Sequence, residues 1–162
     1  MSEYKHLLSV ENLHTSFFTD NGEVQAVNGV SFTLDEGKVL GIVGESGSGK
    51  SVTAYTIMRI LADTAKIKEG RILYKGEDIT KWSERQMQGF RGKCCSIIFQ
   101  DPMTSLNPVF TIGNQLMEAI RLHTSAKRNE AKVRAVELLT LVGINEPEKR
   151  LRQYPFELSG GM

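Results

Sequence analysis

The sequence predicts an α/β fold followed by an all-helical part, and three observations carry that reading. The first third alternates apolar and polar residues with a period of two; a glycine-rich turn then separates a short apolar run from a helix-forming run; beyond Pro108 the apolar residues recur at helical spacing. At 162 residues and 40% apolar content the chain is long enough for one globular domain with a real core. Twenty Lys and Arg against nineteen Asp and Glu leave a net charge of +1, which argues against a nucleic-acid footprint or a polyacidic partner. Residues Met1 to His6 lead straight into a strand pattern, with neither a basic leader nor a run long enough to span a bilayer, so a soluble, cytosolic chain is expected. The two cysteines, Cys94 and Cys95, are adjacent and have no metal-ligand spacing with His6, His14 or His123. Buried strand thiols in a reducing compartment are the expectation.

Leu7–Leu13 and Ala26–Leu34 have the alternation of half-buried strands. The turn signal Thr19-Asp20-Asn21-Gly22 lies between them, and Asn-Gly favours a tight hairpin, so an antiparallel N-terminal sheet is predicted. Asp35-Glu36-Gly37 turns the chain into an apolar strand, Val39-Leu40-Gly41-Ile42-Val43, and Lys50–Leu61 reads as a helix. Gly70–Gly76 reads as a short strand. Ser83 with Gln86 three residues later is a capping box for a helix to about Phe90, and Cys94–Phe99 reads as a buried strand. Ile112–Ile120 and Asn129–Val142 are amphipathic helices with Lys and Arg on the polar face. The chain therefore divides into residues 1–107, with the sheet and the glycine-rich turn, and residues 108–162, the helical part.

Gly44-Glu45-Ser46-Gly47-Ser48-Gly49-Lys50-Ser51 fits G-x-x-x-x-G-K-[ST] in the context that motif needs, between a predicted strand and a predicted helix. Consecutive backbone N–H groups and the positive end of the helix converge there, so the loop is built to hold phosphate. Lys50 is placed to reach the β- and γ-phosphates, and the Ser51 hydroxyl to ligate the Mg²⁺ that bridges them. Val52, which follows the motif, is expected among the nucleotide-binding residues with Gly44–Ser51. A Gly/Ser-rich surface turn is the bland alternative, and the flanking elements argue against it.

Two further groups narrow the reading. Ile97-Ile98-Phe99-Gln100-Asp101-Pro102 ends the second apolar run, and Glu157-Leu158-Ser159-Gly160-Gly161-Met162 ends the chain. In that order, with the phosphate loop, they resemble the ATPase subunits of ABC transporters, a P-loop NTPase fold with an antiparallel β subdomain and a helical subdomain. The resemblance implies that Gln100 touches Mg²⁺ and the attacking water. It also implies that Ser159, Gly160 and Gly161 form a signature motif cradling the γ-phosphate held by a partner subunit, for which a hydroxyl, bare N–H groups and a helix start are suited. An aromatic that stacks on adenine is implied just before the Asp20-Asn21-Gly22 turn. Phe17 fits by spacing better than Phe18, although packing on the core is the alternative for either. Asp101 as a metal-binding aspartate after an apolar strand is a competing reading, weakened by Gln100 before it and Pro102 after it.

Gly44–Thr53, Phe99–Pro108 and Tyr154–Met162 are similar to the oligopeptide, dipeptide and nickel importer branch, and Val52-Thr53 to its D-type subunit; Ser105-Leu106-Asn107-Pro108 is the most specific marker. The implied cofactors are ATP and Mg²⁺. The implied partners are a second ATPase subunit, two membrane permeases and, indirectly, an external peptide-binding protein, with this subunit peripheral on the cytoplasmic face of the membrane. Family members continue past the signature with an apolar strand ending in Asp-Glu, a D-loop and a switch histidine. Residues 1–162 are thus expected to be the N-terminal part of such a subunit, with an incomplete central sheet and no hydrolysis on their own. A non-catalytic nucleotide- or partner-binding module or pseudogene product, and a non-transport ABC-type ATPase, are the alternatives.

Overall fold

The computed structural model describes residues 4–101 and 105–159 and divides the chain into two compact units, Met1–Ser96 and Ile97–Met162. The first unit is built on strands β1 (Leu8–Thr19), β2 (Gly22–Leu34), β3 (Ala65–Tyr74) and β4 (Glu77–Asp78), ordered β2-β1-β3-β4 and antiparallel throughout. Its helices are α1 (Lys50–Met58) and α2 (Glu84–Phe90). The second unit holds α3 (Ile112–His123), α4 (Arg128–Leu141) and the short α5 (Pro147–Arg150).

The predicted hairpin forms, but its arms run to Thr19 and from Gly22, with Asp20 and Asn21 as the two loop residues. Neither adopts positive φ, whereas Gly22 does at 116°. The glycine's freedom is thus used where the second strand begins rather than inside the turn. The β3–β4 hairpin takes the other solution: Lys75 and Gly76, at φ 50° and 82°, form a two-residue loop of the type I′ kind between the paired Tyr74 and Glu77.

The three long strands share one irregularity. Asn12 of β1, Gly29 of β2 and Gly70 of β3 all have positive φ, and the register of β1 slips against both neighbours around them. A Cβ on Gly70 would lie 2.2 Å from the Asn12 carbonyl oxygen, so only glycine allows β3 to pass that bulge. Val10, Leu13, Ile72, Ile79, Met87 and Phe90 are buried in this unit's core. The Phe90 ring takes edge contacts from Tyr74 at 5.0 Å and Trp82 at 5.8 Å. Ser83 caps α2 as the sequence predicts: its hydroxyl accepts from the Gln86 N–H, and the Gln86 side chain accepts from the Ser83 N–H.

Two predicted strands do not form. Residues 38–45 have no regular secondary structure, and Val39 and Val43 are 99% and 93% exposed. Residues 96–99 likewise join no sheet, and Ile98 is 92% exposed. The cysteines differ from expectation for the same reason: Cys94 is exposed and Cys95 only half-buried, with a single parallel bridge between Arg91 and Cys95. Continuous apolar runs of this kind suit a parallel sheet covered on both faces, and the described residues supply no neighbouring strand to pair with either run. α1 also stops early, because Arg59 turns into the left-handed region at φ 49° and its N–H bonds back to the Tyr55 and Thr56 carbonyls.

In the second unit Thr111 caps α3 through the Asn114 N–H, and the freed N–H groups of Ile112 and Gly113 bond to the Gln153 and Leu151 carbonyls. Asn107 and Gln115 clasp one another: the Asn107 N–H donates to Gln115 Oε1, and Gln115 Nε2 donates to the Asn107 and Phe110 carbonyls. Ser105-Leu106-Asn107-Pro108 is thereby tied to α3.

Replacing Gly70 with Ala should destabilise the chain by about 1–3 kcal/mol, the cost of a non-glycine residue forced into strained backbone against a carbonyl. Urea unfolding monitored by circular dichroism measures it, and an unchanged midpoint would show that the bulge relaxes freely.

Candidate functional site: a glycine loop closed by its own lysine

The loop Gly44–Ser51 leads into the first turn of α1, whose N-cap is Gly49 at φ 86°. Three features set its shape. Gly47 also has positive φ, at 80°. A Cβ on Gly44 would lie 2.7 Å from the Ser48 hydroxyl oxygen. A Cβ on Gly49 would lie 2.4 Å from the Ala26 carbonyl oxygen, a backbone atom of β2 that cannot step aside. Each of the three glycines singled out in the sequence thus occupies a position that a side chain would fill or strain.

The Lys50 side chain folds back over the loop. Its ammonium donates to the Gly44 carbonyl at 2.8 Å, the Glu45 carbonyl at 2.7 Å and the Ser48 hydroxyl at 3.3 Å. All three of its N–H bonds are therefore directed into the concave side of the turn, which the Ser48 N–H narrows by bonding to the Glu45 carbonyl at 3.2 Å. Ser46 and Ser51 are exposed and Val52 is half-buried. The first turn of α1 contains no acidic residue, so nothing there opposes the attraction of its free N–H groups for an anion. A cradle that a Cβ would block, a cation at its mouth and a hydroxyl at the helix start fit a phosphate chain. They also fit a Mg²⁺ ion that arrives with it and bonds to Ser51.

Behind the loop, α1 turns two buried threonines inward, of which the sequence marks Thr53 only as part of Val52-Thr53 and Thr56 not at all. Thr53 and Thr56 are buried, and their hydroxyls donate to the Gly49 and Val52 carbonyls one turn back. The Thr56 hydroxyl also lies 3.3 Å from that of Thr15 on β1. The only hint in the sequence is their spacing of three along the helix. The other end of α1 is held by Arg91, whose guanidinium donates to the Met58 carbonyl at 2.8 Å and the Arg59 carbonyl at 3.1 Å while pairing with Glu84 at 2.6 Å. A cation on the last carbonyls of a helix satisfies them and its negative dipole end together.

Thr15 marks the sheet face that carries α1. Two residues on, Phe17 shares that face, beside its cross-strand partners Val24 and Ala65, and is half-buried. Phe18 points the other way, where the Lys66 and Lys68 ammonium groups lie 5.5 and 5.4 Å from its ring. Gln100 and Ser159 belong to the second unit and are exposed there; Gly160 and Gly161 lie outside the described residues. No strand precedes Asp101, which removes the structural basis for reading it as a strand-end metal ligand.

The family model for ABC transporters matches residues 27–162, which include the phosphate loop, Gln100 and Ser159. The chain belongs to the ABC transporter family. It is 52% identical over 157 residues to the dipeptide transport ATP-binding protein DppD of Bacillus subtilis, covering 96% of this chain and 47% of that protein. It is also 52% identical over 163 residues to the oligopeptide transport ATP-binding protein OppD of the same organism, covering 100% and 46%. OppD of Salmonella typhimurium is 47% identical, over 96% of this chain and 46% of its own length. The chain thus spans about half the length of these curated relatives. Among solved structures, the dimeric bacterial ABC transporter cassette MJ0796 matches with a TM-score of 0.79 at 22% identity, over 95% of this chain and 64% of that one. Its ADP- and phosphate-bound form matches at 0.77 and 21% identity. The fold is that of an ABC ATPase cassette. Among the described residues no helix is long and apolar enough to cross a membrane.

The Arg91–Glu84 pair makes the seating of α1 sensitive to acid. The hydrogen bond from Arg91 chiefly holds the Glu84 carboxyl below its ordinary value of 4.5, against the opposing effect of desolvation and with help from the charges of Arg91 and Arg59. A carboxyl lowered in the folded state stabilises the fold above the unfolded value, and this contribution disappears as the pH falls through the lowered one. Thermal midpoints measured between about pH 6 and pH 3 should therefore fall below about 4.5, and less steeply in Glu84→Gln than in the parent chain. Parallel curves for the two proteins would remove Glu84 from the account.

Proposed function

We propose that this chain is the ATP-holding part of an ABC importer subunit that, as a whole protein, hydrolyses ATP to drive uptake of oligopeptides or dipeptides. The observation that carries the reading is the loop Gly44–Ser51, whose glycines exclude side chains and whose Lys50 directs its three N–H bonds into the turn. The peptide assignment is supported by relatives described as dipeptide and oligopeptide transport ATP-binding proteins.

In this reading the triphosphate replaces the Gly44 and Glu45 carbonyls as partner of Lys50, while the backbone N–H groups from Glu45 to Ser51 and the start of α1 take the phosphate oxygens. Ser51 holds Mg²⁺, and the ion offsets charge on the β- and γ-phosphates. The adenine stacks on Phe17, because Phe17 shares the sheet face of the helix that opens at the phosphate loop and Phe18 does not. Gln100 would contact Mg²⁺ and the attacking water, the role that the family resemblance implies for it. Residues 1–107 hold the nucleotide, and residues 108–162 respond to it.

Ser159, Gly160 and Gly161 close on the nucleotide of a second ATPase subunit, so two subunits share two ATP molecules. The assembly stands on the cytoplasmic face of the membrane, where two permease subunits receive the motion and an external binding protein delivers the peptide. The dimeric state of the MJ0796 cassette supports the pairing.

Titration with Mg-ATP, on a protein extended to the length of the relatives, tests the site. Lys50→Ala should weaken binding about tenfold or more, the worth of a charge-assisted phosphate contact. Equal affinity in the two proteins would overturn the phosphate-loop assignment. Phe17→Ala should weaken ATP while sparing inorganic triphosphate, since only the base is lost from the contact; each stacked base is worth about 1–3 kcal/mol.

A further inference from the structure

The second unit contains a groove of about 420 Å³ that the function above does not use. One wall is the start of α3, with Asn114 and Met117; the other is α4, with Arg128 and Lys132; Arg152, just past α5, closes it beside Glu148. A second depression shares Asn114, Met117 and Arg128 and adds Arg121 together with the carboxylate of Glu118.

Some cations of this unit are paired, and others, Arg121 and Lys127 among them, form no ion pair among the described residues. Arg134 pairs with Glu137, and Lys149 and Arg150 pair with Glu146. Arg128, Lys132 and Arg152 are all exposed, and none of their side chains has a hydrogen-bond or ion-pair partner among the described residues. Arg128 and Lys132 stand four residues apart on one helical face, where like charges raise the energy of the helix by a few tenths of a kcal/mol. Three cations against the single carboxylate of Glu148 leave the groove with a local excess of positive charge. Packing does not require this arrangement, because the buried residues of α4 are Ala131 and Ala135.

We propose that this groove binds a small phosphate-bearing anion through Arg128, Lys132 and Arg152. Two guanidinium forks and an ammonium suit the several oxygens of a phosphate or pyrophosphate group. The volume is that of a small-ligand site. Asn114 offers an amide to a neighbouring hydroxyl, and Met117 gives an apolar floor to whatever bears the phosphate. Glu148 opposes the anion and limits affinity. The site shares no residue with the phosphate loop, so the two are separable by mutation.

Calorimetric titration of the 162-residue chain with inorganic pyrophosphate at fixed salt tests the proposal, with glucose 6-phosphate as a second probe to separate a bare phosphate site from one that also grips an organic group. In the Lys50→Ala chain one saturable site should remain, and adding Arg128→Gln with Lys132→Gln should weaken it about tenfold or more. Glu148→Gln, which removes the opposing charge, should tighten binding several-fold and so gives a gain that damage to the fold cannot mimic. The proposal is overturned if Lys50→Ala alone abolishes saturable binding, if the remaining site ignores Arg128→Gln and Lys132→Gln, or if Glu148→Gln fails to tighten it.

Discussion

The approach of Gly49 to the Ala26 carbonyl is the contact on which the phosphate loop depends. A β-carbon at Gly49 would overlap that oxygen, so the residue that caps α1 can sit against β2 only as glycine, in left-handed backbone that glycine alone adopts cheaply. The helix start is thereby pinned to the edge of the antiparallel sheet, and the loop before it must curl in a small radius to arrive there. Lys50 and Ser51 follow from that placement, since they are the first two residues of the helix that the contact sets in position.

The rest of the first unit serves the same helix. Buried threonines on α1 bond to their own backbone one turn back, which leaves no polar group unsatisfied where Thr56 meets Thr15. Arg91 reaches from the end of α2 to the last carbonyls of α1, so a side chain supplies the bonds that a longer helix would have made for itself. The matched irregularities at Asn12, Gly29 and Gly70 bend the three strands together. β1 therefore presents Thr15 and Phe17 to the helix face while Phe18 remains with the lysines on the other.

The second unit uses a different economy. Its α3 begins without free backbone donors because the Leu151 and Gln153 carbonyls take them, and Gly113 permits the close approach that this needs. Asn107 and Gln115 bind the segment after the glutamine motif to the same helix. Three of its cations, Arg134, Lys149 and Arg150, pair with carboxylates within one turn, whereas Arg128, Lys132 and Arg152 gather unpaired around one groove.

Local chemistry was legible in the sequence, and long-range pairing was not. The hairpin at Asp20-Asn21, the Ser83–Gln86 capping box, the helices α3 and α4 and the glycine loop all rest on residues within a few positions of each other, so spacing alone revealed them; α4, however, buries only Ala131 and Ala135 and leaves Val133 and Leu141 exposed, without the apolar stripe expected of it. The contacts of Thr56 and Arg91 escaped notice because those partners lie in other elements, 41 residues away for Thr56 and Thr15. Val39–Val43 and Cys94–Phe99 read as buried strands because apolar character marks a segment as able to pair, yet a strand exists only where a neighbour offers its backbone. By itself the sequence determined the glycine loop Gly44–Ser51 and the family to which the chain belongs. Only the tertiary structure decided which aromatic shares the face of α1, which apolar runs remain unpaired and where three cations converge, because each depends on atoms that the fold alone brings together.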